Sequence, residues 1–404
     1  MTDPLRQALD AYADALAPAL ATTLRRAAAA VPAFAVRLAG AGLADDVPTT
    51  PDDLAKLPVL TKDDVLDRQL ADPPFGGLID PAAVIHRIFQ SPGPLYEPQL
   101  AGMDPWRWGQ ALVALDVGPA DRVINCFGYH LSPAGAMLDE GCLALGATVI
   151  PAGIGSADLQ ARAIADLGVT AYVGLPSYLK ALVDRYDELG LPATSWKVGK
   201  ALVTAEPLPD SLRMLLQKRV AAVRMAYGTA EAGLIAYEVD PGAGLVPADG
   251  VLIQVCDLDG GRPLVEGEGE VVVTLLRPEY PLVRFGTGDL SAWTLGPRGD
   301  LRLAGVLGRV GQAVKVRGLF LHPRQAQAAM AGVAHVRAWQ LVVDRVAHRD
   351  ELRCLVVLAP DSDADQVRAE VAERVRAGLR FGCAVETVAA LPDEAVIKDL
   401  RDWS

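Results

Sequence analysis

Apolar residues recur at helical spacing through the alanine-rich first forty residues, and Pro32 interrupts them, so the pattern predicts two helices. The stretch TTPDDLAKLPVLTKDDVLDRQLADPPFGGL, residues 49–78, reads as short helices punctuated by Pro58, Pro73 and Pro74. Thr61 ahead of Asp63 and Asp64 marks one helix start. From residue 104 apolar runs alternate with amphipathic segments: helices over 104–117, 132–146, 156–168, 177–190 and 211–220, and strands over 121–129, 147–153, 169–176, 198–207 and 221–228. That alternation predicts a parallel sheet in a doubly wound α/β architecture, with ligands bound beyond the carboxyl ends of the strands. The segments there are GYHLSP, AGIG, LPSY, TAEP and YGTAE.

From residue 250 the pattern changes. GVLIQVCDLDGGRPLVEGEGEVVVTLL reads as strands joined by glycine turns, an antiparallel layer. After Gly308 a smaller α+β unit follows: a hairpin of 339–346 and 351–359 around AHRD, a helix over 363–379, and a last strand over 383–391. The expected domains are therefore 1–308 and 309–404.

The 404 residues leave ample length for a core in each part. A net charge of −12 argues against nucleic acid as the main partner, since phosphate backbones demand a basic surface. The five cysteines stand singly with no C-x-x-C pair, which argues against a zinc site or a disulfide framework and for a reducing, cytoplasmic home. The apolar run 27–42 contains Pro32 and Arg37 and is too short to span a bilayer, so no membrane role is expected.

Several fragments then fall in a telling order: LPVLTKDDV, PPFGGL, GATVIPAGIG, LPSY, TAEP, AYGTAEAG, EGEGEVVVT, YPLVRFGTGDL and GRVGQAVKVRGLFLHP. Each is weak alone. Together they resemble the phenylacetate–CoA ligase branch of the adenylate-forming enzymes over nearly the whole chain. The resemblance implies a large N-terminal domain of doubly wound mixed sheets plus an antiparallel layer, and a small mobile C-terminal domain. It implies ATP, Mg²⁺ and coenzyme A as cofactors, a small aromatic or other carboxylic acid as substrate, and a homodimer.

By the same resemblance Asp289 accepts hydrogen bonds from the ribose and Arg309 donates to it, Tyr227 lies near the adenine, and Ala205 and Glu206 form a wall beside the base. Glu231 holds Mg²⁺ and serves catalysis. Ser91, Gly93, Pro207, Gly228, Thr229 and Arg317 complete the nucleotide contacts. Tyr129, His130, Gly153 and Ala226 line the acyl pocket. Without the resemblance, 286–289 reads as a simple turn, Glu231 as an acid at a helix start, Arg309 as a solvated charge, and Tyr129 with His130 as a core aromatic beside a satisfied histidine.

The chain also departs from the pattern. The phosphate loop S-S-G-T-T-G-K-P keeps only Ser91, Gly93 and Pro98 in SPGPLYEP; Glu97 replaces the lysine, and Pro92 and Pro94 remove backbone donors. Ala230 replaces a hydroxyl residue, and Gly311 with Gln312 replaces the hinge acids. In LPDEAVIKDLRDWS the catalytic lysine has only Lys398 as a candidate, one position out of register. These changes predict a weak grip on the β- and γ-phosphates. The leading expectation is an acyl-adenylate-forming acid–CoA ligase. The alternatives are a catalytically degenerate homologue that binds AMP or a CoA ester without ligation, and an enzyme with a different acyl acceptor.

Overall fold

The computed structural model describes residues 3–401 apart from 92, 311–313, 318, 322, 347–348, 361, 380–381 and 394. The chain divides into two compact units, residues 1–308 and 309–404.

The first unit opens with helices Pro4–Ala30 and Pro32–Gly40, separated by an extended Val31 and each started by a proline whose missing N–H costs nothing there. Helix Lys62–Ala71 begins in a full capping box: Thr61 Oγ accepts from Asp64 N, and an Asp64 carboxylate oxygen accepts from Thr61 N. Parallel strands then assemble in the spatial order Thr148–Pro151, Arg122–Asn125, Ala171–Gly174, Lys200–Val203 and Ala222–Thr229. Gly233–Tyr237 and Val246–Pro247 extend that sheet with antiparallel pairing.

Alternate residues of these strands enter different cores. Val123, Ala171, Val173 and Leu202 face one, with Leu112, Met137 and Leu138. Ile124, Tyr172, Ala201 and Val203 face the other, with Ile164, Leu182 and Leu212. Both faces are buried, which is why the strands read as continuous apolar runs. A second, antiparallel sheet of Val251–Cys256, Glu268–Leu275, Phe285–Leu295 and Leu301–Leu303 packs into the first of these cores.

Four local expectations are corrected. The helix expected over 104–117 is only Gly109–Ala114, because Asp104 and Arg107 adopt positive φ and the Asp104 carboxylate caps Trp108 N and Gly109 N. Residues 286–289 are not a turn. They lie inside strand Phe285–Leu295, where the pairing with Glu268–Leu275 shifts register and Gly288 takes φ +76°. Glu231 does not start a helix. It occupies the turn between Ala222–Thr229 and the antiparallel Gly233–Tyr237. The fourth correction lies in the second unit, where Ala384–Thr387 is not the last strand.

That unit is a four-stranded sheet ordered Ala384–Thr387, Arg349–Leu358, Val336–Val346, Ile397–Asp399. Its two edge strands pair in parallel with the hairpin between them. Helices Pro323–Met330 and Ala364–Leu379 close the core through Ala326, Met330, Val367, Val371 and Val375. The sequence hid Ile397–Asp399 because only Ile397 of its three residues is buried. Among the described residues no helix is long and apolar enough to cross a membrane.

Candidate active site

The carboxyl ends of strands Lys200–Val203 and Ala222–Thr229 sit side by side, and the residues just beyond them are polar and buried. Ala205 has φ +72°, a conformation an alanine adopts only under constraint from its surroundings. Glu206 follows, 9% exposed, and accepts 2.5 Å from Ser177 Oγ. Pro207 is half-buried behind it. Tyr227 is buried, and its hydroxyl lies 2.9 Å from Asp289 Oδ2 and 3.1 Å from Thr287 Oγ. Thr287 Oγ donates to Val271 O and accepts from Asp289 N, so the strand bulge aims Asp289 at Tyr227. Ala226 is buried against the first core.

The turn after Tyr227 is tightly specified. A Cβ on Gly228 would lie 2.4 Å from Gly233 O, and one on Gly233 2.8 Å from Trp106 O. Thr229 Oγ accepts from Ala232 N. Half-buried Arg107 donates to Ala232 O at 2.5 Å and Leu234 O at 3.1 Å, which pins the turn from behind, and desolvation brings its guanidinium pKa down to about 10.

Glu231 is 7% exposed in this turn. Lys62 Nζ lies 2.9 Å from its Oε1. Burial alone would raise the Glu231 carboxyl, but the Lys62 ammonium and hydrogen bonds outweigh it and hold the pKa below the usual range. The segment carrying Lys62 is stitched to the Asp289 strand through Leu60 N to Arg284 O and Gly286 N to Leu60 O. Among the described residues Glu231 Oε2 is buried with no hydrogen-bond partner. An orphaned, ionised carboxylate oxygen is the donor a hard divalent cation takes, so Glu231 fits a Mg²⁺ site.

The eroded phosphate loop is the tip of a hairpin, Ile85–Gln90 with Tyr96–Leu100. Ser91 is buried and spends its N–H on Leu95 O, while Gly93 sits half-exposed at the tip. Glu97, expected to repel phosphate, is 2% exposed and turned inward, with Tyr280 OH 3.4 Å from its carboxylate. Burial, then the neighbouring Glu231 charge, push its pKa well up, which favours the neutral form over the repelling one. Pro92 lies outside the described residues, as do Gly311 and Gln312.

At the other end of the sheet, Tyr129 is half-buried between Gly135 and Gly153, where added Cβ atoms would lie 2.9 Å and 3.8 Å from its ring. Its hydroxyl donates 2.8 Å to Asp139 Oδ1, which also accepts 2.7 Å from Asn125 Nδ2. His130 is exposed rather than satisfied in a core. In the second unit Arg309 is half-buried. There Arg317 bonds Asp350 through its backbone N and its Nε, and Lys398 is ion-paired with Asp393. Sequence reading singled out none of Arg107, Tyr280 and Asp139. Lys62 and Tyr280 lay in quoted fragments, but nothing in the sequence tied Lys62 to Glu231 or Tyr280 to Glu97.

With this geometry in place, comparison is informative. Residues 107–274 match the family described as AMP-binding enzyme. The phenylacetate-coenzyme A ligase of Escherichia coli is 27% identical over 390 residues, 90% of this chain and 87% of that protein. The chain is thus similar to AMP-binding enzymes. A second relative, the phenylacetate-coenzyme A ligase of Thermus thermophilus, is 29% identical over 74% of the chain and 71% of its own length. Among solved structures, the chain resembles 2-hydroxyisobutyryl-CoA ligase in complex with 2-HIB-AMP and CoA. The TM-score is 0.88, with 22% identity, covering 98% of this chain and 91% of that one. The amide bond synthetase McbA of Marinactinospora thermotolerans shares the fold at a TM-score of 0.59 and 20% identity over 77% of this chain and 66% of that one. The fold is that of a large N-terminal and a small C-terminal domain, as the motifs implied.

Proposed function

We propose that this chain is an acid–CoA ligase. A carboxylate attacks the α-phosphorus of ATP and expels pyrophosphate, and the thiolate of coenzyme A then attacks the acyl carbon and expels AMP. The non-catalytic alternative draws no support, since the relatives matched over most of this chain are ligases.

The observation that carries the reading is the pair of buried carboxylates that flank Tyr227, Asp289 bonded to its hydroxyl and Glu231 in the turn after its strand beside Lys62. Asp289 takes the ribose hydroxyls, which a carboxylate accepts two at a time. Ala205 to Pro207 and Tyr227 border the base, with Gly228 and Thr229 closing the turn and Ser91 and Gly93 near the phosphates. Lys62 supplies beside Glu231 the ammonium that position 97 lacks. Bound at Glu231, Mg²⁺ would neutralise charge building on the phosphate oxygens. Tyr129, Gly153 and Ala226 border the acyl group, with His130 at its rim. Arg309, Arg317 and Lys398 lie in the second unit, and a role for them rests on the resemblance alone. The assembly proposed is a cytoplasmic homodimer, consistent with five free thiols.

The test is pyrophosphate release with Mg·ATP and a panel of small carboxylic acids, beside calorimetric binding of ATP. Asp289→Ala is expected to lower kcat/KM by roughly 10²-fold, the worth of two hydrogen bonds to a charged group at about 1.5 kcal/mol each. An active enzyme indifferent to that substitution would remove Asp289 from the site.

A further inference from the structure

Three acceptors at the acyl end of the site lack donors. Asp139, on helix Ala134–Ala144, is half-buried. Its Oδ1 is saturated by Asn125 Nδ2 and Tyr129 OH, which fix the carboxylate at the end of the strand next to the sheet's edge strand. Among the described residues its Oδ2 has no hydrogen-bond partner. It is also not sealed in the interior, so a ligand or water can reach it. The second acceptor is independent. Gln99 is 2% exposed, its Nε2 donates 2.9 Å to Glu140 Oε1, and its Oε1 is buried without a partner. Flipping the amide does not cure this, because it would set Oε1 against the Glu140 carboxylate and leave Nε2 orphaned. Glu140 Oε2 is the third. The cation at this patch is Arg87, half-exposed, 3.6 Å from Glu140 and acting electrostatically on Asp139.

A site that leaves buried acceptors unpaired discriminates strongly for a ligand that brings donors. The surroundings say what kind. Tyr129 packs between glycines, and Leu131 and Ile154 stand exposed on the two loops that carry Tyr129 and Gly153. An apolar mouth over an acceptor-lined floor fits an acid whose body is apolar and whose far end carries a hydroxyl or amino group.

We propose that Asp139, positioned by Asn125 and Tyr129, selects carboxylic acids bearing a hydrogen-bond donor at the end remote from the carboxylate. This rests on the ligase reading. It departs from an unsubstituted arylacetate, which would leave Asp139 Oδ2 bare.

The experiment measures kcat/KM of the full chain for phenylacetate, 4-hydroxyphenylacetate and 4-aminophenylacetate, by pyrophosphate release and thioester formation. The expected ratio of donor-bearing to unsubstituted acid is at least tenfold. Asp139→Asn keeps the size and both accepted bonds but turns the open oxygen into an NH₂ donor, and it is expected to cut that ratio at least tenfold. Tyr129→Phe, which loosens the carboxylate while sparing it, is expected to cut it less. A wild-type ratio at or below one, or a ratio unmoved by Asp139→Asn, overturns the proposal. If no acid releases pyrophosphate, the ligase reading fails, and calorimetry of the same acids decides the pocket. A tenfold preference in Kd that collapses in Asp139→Asn upholds it, and equal Kd values or no binding dismiss it.

Discussion

Glu97 shows how a single side chain changes meaning between sequence and structure. At the loop position it reads as a charge that repels phosphate, yet it is buried beside Glu231 and Tyr280. Its folded pKa lies above the unfolded value near 4.3. The folded state therefore holds a proton that the unfolded chain releases, and stability falls as pH rises above that value. Glu97→Gln removes the penalty, so its gain in melting temperature over the parent is expected to be larger at pH 8 than at pH 5; an equal gain at both would place Glu97 in a charged state. Glu231 has the opposite sign. Lys62 holds its pKa low, so its contribution is present above the unfolded value and lost as pH falls through the folded one. Lys62→Met strands a buried carboxylate and is expected to cost about 3 kcal/mol at pH 8 by chemical denaturation, and much less near pH 3. Asp289, Tyr227 and Glu231 were legible because short motifs carry them. Their partners Lys62, Glu97 and Tyr280 come from distant segments, and nothing local in the chain announces which carboxylate keeps its proton.

The element that presents Tyr227 and Glu231 is a hairpin clamped from outside. Arg213 on helix Asp210–Leu216 forms a bidentate pair with Glu238, with distances of 2.9 and 2.6 Å, and also donates to Val223 O. Glu238 in turn accepts from Met225 N and Gly242 N. Both charged residues are buried, so breaking the pair exposes the desolvation cost of whichever remains. Glu238→Leu is expected to destabilise the larger unit by about 3–5 kcal/mol, and adding Arg213→Met to recover part of that loss. A double variant less stable than the single would show that Glu238 acts mainly through its backbone donors. Periodicity revealed the strands and helices on both sides of this clamp because their apolar residues alternate between two cores. It failed at 104–117, where the left-handed Asp104 and Arg107 override a helical pattern, and at 286–289, where a bulge inside a long strand uses the residues of a turn.

At the scale of the molecule, the two units carry separate cores. Val316, Leu341, Val343, Cys354, Val356 and Val371 pack together within residues 309–404, and the clusters around Val123 and Ile124 belong to residues 1–308. A core that closes within one unit gives that unit its own unfolding free energy, so a single two-state transition is not expected. Scanning calorimetry should resolve two transitions. The proposed nucleotide residues Asp289, Tyr227 and Glu231 lie in the larger unit, and a ligand that binds only the folded state stabilises it by RT ln(1 + [L]/Kd). AMP at a hundredfold excess over its Kd adds about 2.7 kcal/mol, and only to the transition of the unit that binds it. The expected scan therefore shows AMP lifting the larger, more endothermic transition and leaving the smaller one in place. Asp289→Ala should abolish the lift at the same AMP concentration. If AMP raised both transitions together, the units would unfold as one, and the separate cores would not be separate in stability.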